Sequence, residues 1–190
     1  MTNSSNQELK QLSEESISTA LLQLMEHRNY ESITITDIAS RAGVSRMAFY
    51  RNYLSKDDIL LQCVDKVFDK YFQDIILEHL EDGSMYTAFF RYFRANQLLL
   101  SALYKSQLSY RLLDLFDKYL TILYQYFVSR GLPDTVSPYE IHYAAGGFYK
   151  VLTEWALGGY RESDEEMGAV MKKLSSYTDL PFLSTGAPGD

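Results

Sequence analysis

The stretch "TITDIASRAGVSRMAFYRNYLSKDD", from Thr34 to Asp58, restricts the fold more than any other part of the chain. Thr34, Ser45 and Ser55 each stand just before a short run of helix-compatible residues, where a hydroxyl can accept from the free N–H groups of a first turn. Asp37 and Asp58 follow two of these hydroxyls by three positions, the spacing at which an acid reaches back to complete a capping box. Gly43 falls where the first run must stop and turn, a place that favours the positive φ glycine adopts at little cost. The window therefore reads as short helices separated by tight turns, with a third and longer helix opening at Lys56.

The same window is unusual in its charge. Arg41, Arg46, Arg51 and Lys56 occur with no acid between Asp37 and Asp57, although the 190-residue chain carries a net charge of −7. Residues 1 to 60 hold six basic and eight acidic side chains, so the positive stretch is local. A net-acidic chain does not coat itself on nucleic acid or anionic membrane, and any contact with a polyanion must run through this one face.

Elsewhere the pattern is helical. Ile17, Ala20, Leu21, Leu24 and Met25 make an i, i+3, i+4, i+7, i+8 stripe, which predicts an amphipathic helix from about Gln7 to His27. Ile38, Ala39, Ala42, Val44, Phe49 and Tyr53 are spaced to close a small three-helix core against it. Longer helices are expected over about 56–80, 85–105, 108–130, 138–160 and 163–177. "EDGS" at 81–84 and "RGLPDTVSP" at 130–138 read as loops, and "TDLPFLSTGAPGD" reads as a frayed tail. The expected class is all-α, with a helix-turn-helix domain at 1–55, a larger helical domain at 56–177 and a tail at 178–190.

Several functions are disfavoured. Cys63 is the single cysteine, and no run reaches the roughly 18 apolar residues of a membrane span. The polar, acidic "MTNSSNQELKQLSEES" lacks the basic start and apolar stretch of a secretory signal, so a cytoplasmic location is expected. His27, His79 and His142 are far apart with no companion at metal-site spacing, and there is no phosphate-cradling glycine loop or nucleophile elbow. Neither metal, cofactor nor catalysis is expected.

Two short helices joined by a glycine-containing turn, the second opening at a capped serine, form the pattern of a helix-turn-helix, whose second helix enters the major groove. A solvated face of spaced cations is the plainer alternative. Arg46 lies in the first turn of the second helix, where a guanidinium can reach guanine O6 and N7. Tyr50 and Lys56 suit phosphate contacts, since a phenol tip and an ammonium do not match the fork of a base edge.

"ESITITDIASRAGVSRMAFYRNYLSKDDIL" resembles the DNA-binding domain of the tetracycline-repressor (TetR) family of bacterial transcription regulators. The shared features are the order of an Ile-Ala pair, the A-G-V-S turn, an aromatic-Tyr pair, an aromatic three residues later, and S-K-[DE] opening the next helix. The resemblance covers about residues 10–65. It implies a DNA-facing set of Thr36, Arg46, Met47, Ala48, Tyr50, Arg51, Asn52 and Lys56, with Thr34 capping the supporting helix and touching a phosphate. Asn52 departs from the histidine or tyrosine frequent at its position. The family also implies a homodimer joined through the last two long helices, double-stranded DNA as partner, and a small-molecule effector in the C-terminal domain. "AAGGFYKVLTEWALGGYRESDEEMGAVMKKL" is weakly similar to a subgroup that includes regulators of dihydroxyacetone kinase operons.

In that second domain, the small residues Ala144, Ala145, Gly146 and Gly147 suit close helix approach, and Trp155 is either an interface anchor or a filler of the monomer core. Its many tyrosines and phenylalanines either build the core or line an aromatic pocket. His142 and Glu154 are polar positions within an otherwise apolar helix and are the candidate ligand-binding residues. The expected function is a ligand-responsive repressor; the rival is a helical module of the same fold acting through a protein partner.

Overall fold

The computed structural model describes the backbone of residues 2–80, 84–178 and 180–184, so most of the expected 81–84 loop lies outside the described residues. Every regular element described is helical. These are α1 (Thr2–His27), a 3₁₀ turn (Tyr30–Ser32), α2 (Ile35–Ala42), α3 (Arg46–Asn52), α4 (Lys56–Lys70), a π-helical turn (Tyr71–Ile75), α5 (Ile76–His79), α6 (Met85–Ala95) and α7 (Gln97–Lys105). The chain continues through α8 (Tyr110–Val128), α9 (Pro138–Leu157), α10 (Asp164–Ser175) and α11 (Pro181–Ser184). Two compact units result, one of residues 1–65 with 98–109, the other of 66–97 with 110–190.

In the first unit α1 packs on α2 and α3. Ile17, Ala20, Leu21 and Met25 of α1 meet Ile38 and Ala39 of α2 and Phe49 of α3, all buried, with Tyr53 closing the end. Ala42 and Val44, expected in this core, are only half-buried. Leu99, Leu100, Ala102 and Leu103 of α7 are also buried in this unit, and Lys105 Nζ donates to the Met25 carbonyl at 3.2 Å. The expected single helix over 85–105 is interrupted at Asn96 (φ −102°, ψ 22°), which ends α6; Asn96 Nδ2 bonds back to the Tyr92 carbonyl at 2.9 Å, a competition with the backbone that favours a stop.

The second unit is built around aromatic rings. Phe68, Tyr71, Phe89, Phe93, Phe116 and Phe148 contact one another edge-on or tilted, with centroid separations such as 5.2 Å for Phe68–Phe93 and 5.9 Å for Phe116–Phe148. The cavity among them is only ≈ 20 Å³, room for about one water molecule. The rings are thus core. Trp155 is core as well: it is 3% exposed, stands edge-on to Phe90 and Tyr160, and donates Nε1–H to the Glu162 carbonyl.

Helices α6 and α10 come close together at Gly168, where a Cβ would lie 2.4 Å from Thr87 Oγ1 and 2.9 Å from the Thr87 nitrogen. Gly146 and Gly147, by contrast, have no neighbour within 4 Å of where a Cβ would stand. Of the expected frayed tail, Asp179 and residues 185–190 lie outside the described residues, but "LPFL" at 180–183 does not fray as its composition suggests. Leu180, Phe182 and Leu183 are buried, Phe182 rests on Tyr124 at 5.5 Å, and Tyr86 OH donates to the Leu183 carbonyl at 2.7 Å. Three apolar residues outweigh the nearby turn-formers once a ring surface is there to receive them.

Candidate nucleic-acid interface

The local geometry of the window follows from its caps. Thr34 Oγ1 accepts from the Asp37 N–H at 3.1 Å, while Asp37 Oδ2 accepts from the Thr34 N–H at 2.9 Å and hydroxyl at 2.7 Å. Those bonds, led by the Thr34 hydroxyl and followed by Arg28, lower the Asp37 pKa from 3.8 to about 2. Helix α2 ends at Gly43 with φ +68°, and the Val44 N–H returns to the Ala39 carbonyl at 3.0 Å, closing the left-handed stop. Ser45 then accepts from the Ala48 N–H at 3.1 Å and starts α3.

With α2 and the cap fixed, α3 buries Phe49 and turns its other face to solvent. Arg46, Met47, Tyr50 and Arg51 are exposed, Met47 by 75% and Tyr50 by 48%. Arg46 and Arg51 make no hydrogen bond or ion pair among the described residues. Thr36 on α2 is exposed too, and Ala48 is half-buried. Arg41, the remaining cation of α2, bonds Gln23 of α1 through Nε at 2.9 Å.

Two members of the DNA-facing set have internal partners. Asn52 Nδ2 donates to Ser13 Oγ at 3.1 Å and to the Ala48 carbonyl at 2.9 Å, tying α3 to α1. Lys56 Nζ donates to the carbonyls of Tyr30 at 2.7 Å, Ile33 at 3.2 Å and Glu31 at 3.5 Å, and lies 4.2 Å from the centre of the Tyr30 ring. Tyr30 in turn donates its hydroxyl to Asp57, and burial, then that bond, pushes the phenol pKa far up. Tyr30, Lys56 and Asp57 thus form one knot joining the 3₁₀ turn to the start of α4. Sequence pattern did not single out Tyr30, Ser13 or Asp57; the adjacency of Lys56 to Asp57 was the one visible sign.

In the second unit, His142 is exposed and pairs with Asp117 of α8, Nδ1 to Oδ1 at 2.8 Å. It lines a groove of ≈ 440 Å³ beside Tyr143, Gly146, Gly147, Leu174 and Tyr177. Glu154 pairs with Lys150 on the outer face of α9 and does not line that groove. Among the described residues no three His, Cys, Asp or Glu side chains gather as a metal site, and no helix is long and apolar enough to cross a membrane.

The family description "Bacterial regulatory proteins, tetR family" matches residues 17–63, the segment that carries α2, the Gly43 turn and α3. In that segment the chain is similar to the DNA-binding domain of the TetR family. An "Uncharacterized HTH-type transcriptional regulator YwcC" of Bacillus subtilis (strain 168) is 40% identical over 52 residues. That match takes in 27% of this chain and 23% of the relative, so the chain spans under a quarter of the relative's length there. Beyond that segment, the all-helical fold is shared with solved structures of low identity. The "Dihydroxyacetone kinase operon activator DhaS" superposes with a TM-score of 0.67 at 17% identity, covering 88% of this chain and 97% of that one. The fatty acid degradation regulator FadR from Bacillus halodurans does so at 0.62 and 15%, covering 83% and 91%. Thermus thermophilus FadR, solved with lauroyl-CoA, follows at 0.53 and 22%, covering 93% and 100%.

Proposed function

We propose that this chain is a cytoplasmic, sequence-specific DNA-binding repressor that acts as a homodimer on a palindromic operator and is released by a small-molecule effector. The observation that carries the reading is the solvent face of α3, where Arg46, Met47, Tyr50 and Arg51 project from a helix held by the Ser45 cap and the Gly43 stop. Arg46 and Arg51 stand there without an internal partner among the described residues. Arg46 and Arg51 reach base edges or phosphates, Tyr50 and Thr36 donate to phosphates, and Thr34, Ala48, Asn52 and Lys56 support them from behind. We assign DNA recognition to residues 1–55 and effector response and pairing to 56–177.

Support for pairing comes from α9 and α10. Tyr139, Tyr143 and Leu157 are 82%, 75% and 64% exposed on α9, at heptad-like spacing with Gly146 and Lys150 between, while Leu174 and the nearby Tyr177 are exposed at α10. Such a face seats a second copy, and Gly146 and Gly147 leave room for close approach of a partner helix. Two recognition helices then meet successive major-groove faces about 34–36 Å apart. The effector works by its differential affinity for two dimer geometries, with the groove beside His142 as the candidate entry on this face; Glu154, paired to Lys150, is the weaker candidate.

Selection from random DNA tests the reading: an enriched palindrome bound with a salt slope near −6, from about three or four phosphate contacts per half-site, supports it. The rival, a helical module acting through a protein partner, is favoured by one observation, that Lys56 and Arg41 are already engaged within the domain. No enrichment would decide for the rival.

A further inference from the structure

The eight residues of the DNA-facing set, with Thr34 that caps behind them, do not offer the same chemistry. Thr34, Asn52 and Lys56 have polar groups bonded within the first unit, and Ala48 is half-buried with its N–H held by Ser45. Five remain exposed: Thr36, Arg46, Met47, Tyr50 and Arg51. Four of these carry hydrogen-bond donors. Met47 carries none, yet it is 75% exposed.

An open methionine has only apolar surface and a weakly accepting sulfur to present. In the major groove the one apolar feature of any base pair is the C5 methyl of thymine. Met47 is followed at i+3 and i+4 by Tyr50 and Arg51, so it shares their face, and Arg46 stands beside it in the same turn. An unbranched thioether adjusts to the methyl while the flanking guanidinium groups hold the phosphates or a guanine.

Resting on the DNA-binding reading above, we propose that Met47 is a specificity-determining residue that reads one thymine per half-site through its C5 methyl group. Burial of one methyl group is worth a factor of about four in affinity per half-site, and about sixteen when both half-sites of the dimer are changed.

The test uses the full-length protein and the site it selects from random DNA. Each thymine of the half-site is replaced in turn by deoxyuridine, which removes the methyl and leaves the pairing edge intact. Affinity of the wild-type chain should fall about fourfold per half-site at one thymine. Met47→Ala should bind more weakly and lose sensitivity at that thymine alone, while Met47→Leu should keep it. Wild-type indifference to deoxyuridine at every thymine overturns the proposal, and so does unchanged sensitivity in Met47→Ala. Failure to select any site instead overturns the DNA-binding reading itself, and this inference with it.

Discussion

Replacing Lys56 by methionine separates two roles that one ammonium can play. In the structure Lys56 donates to the Tyr30 and Ile33 carbonyls at 2.7 and 3.2 Å and lies 4.2 Å over the Tyr30 ring. A charged donor to a part-buried acceptor is worth about 1.5–3 kcal/mol and a cation over a ring about 0.5–2 kcal/mol, and bonds sharing one ammonium are not additive. A loss of about 2–3 kcal/mol follows for Lys56→Met, which keeps the aliphatic stem but removes every donor. For a unit of this size each kcal/mol moves the melting temperature by about 4–8 °C, so a fall of roughly 10–20 °C is expected. The measurement is thermal unfolding of the full-length chain by circular dichroism, with Lys56→Arg as a control that retains charge but not the compact three-donor geometry. DNA affinity is then measured against salt at a temperature where the variant is folded. If Lys56→Met melted within about 2 °C of wild type while its salt slope became shallower by about 2 per dimer, Lys56 would be a phosphate ligand and the structural account refuted.

Three further outcomes are expected. Gly168→Ala should lose about 1–3 kcal/mol in urea unfolding through overpacking, because the new Cβ meets Thr87 Oγ1 at 2.4 Å and the Thr87 backbone at 2.9 and 3.0 Å. Thr87→Ala should restore only part of this, since the backbone contacts remain, and a wild-type midpoint in Gly168→Ala would contradict the close approach of α6 and α10. The Asp37 pKa is lowered from 3.8 to about 2, so its contribution is complete above pH 3.8 and disappears as pH falls towards 2. Asp37→Asn should accordingly destabilise the chain at neutral pH and flatten the acid-unfolding curve in that window; an unchanged curve would count against the capping box. Finally, Tyr143→Asp combined with Leu174→Asp should convert a dimer to a monomer in analytical ultracentrifugation without lowering helix content, both residues being exposed at 75% and 42%. A variant that sediments as the wild type does would remove α9 and α10 from the pairing surface.

Legibility in the sequence tracked the range of the interaction. The caps at Thr34 and Ser45, the stop at Gly43 and the burial of Ile38, Ala39 and Phe49 depend on partners within a few residues or on helical periodicity, and all were readable from spacing. Whether an exposed-looking cation is free depends instead on what lies opposite it in space. Arg46 and Lys56 are alike on paper, yet Lys56 meets three carbonyls from residues 30, 31 and 33, about 25 positions away in sequence, and Arg46 meets nothing described. Glycine obeyed the same division. Gly43 announced itself through the turn it makes, whereas Gly168, where α10 comes close to Thr87 of α6, sits in an ordinary amphipathic stretch, and at the conspicuous Gly146–Gly147 pair an added Cβ would meet nothing within 4 Å among the described residues. Two glycines inside a helix cost stability, and the open space beside them is what the pairing proposed through α9 would use, so the same two residues, uninformative about the monomer, bear on that proposal.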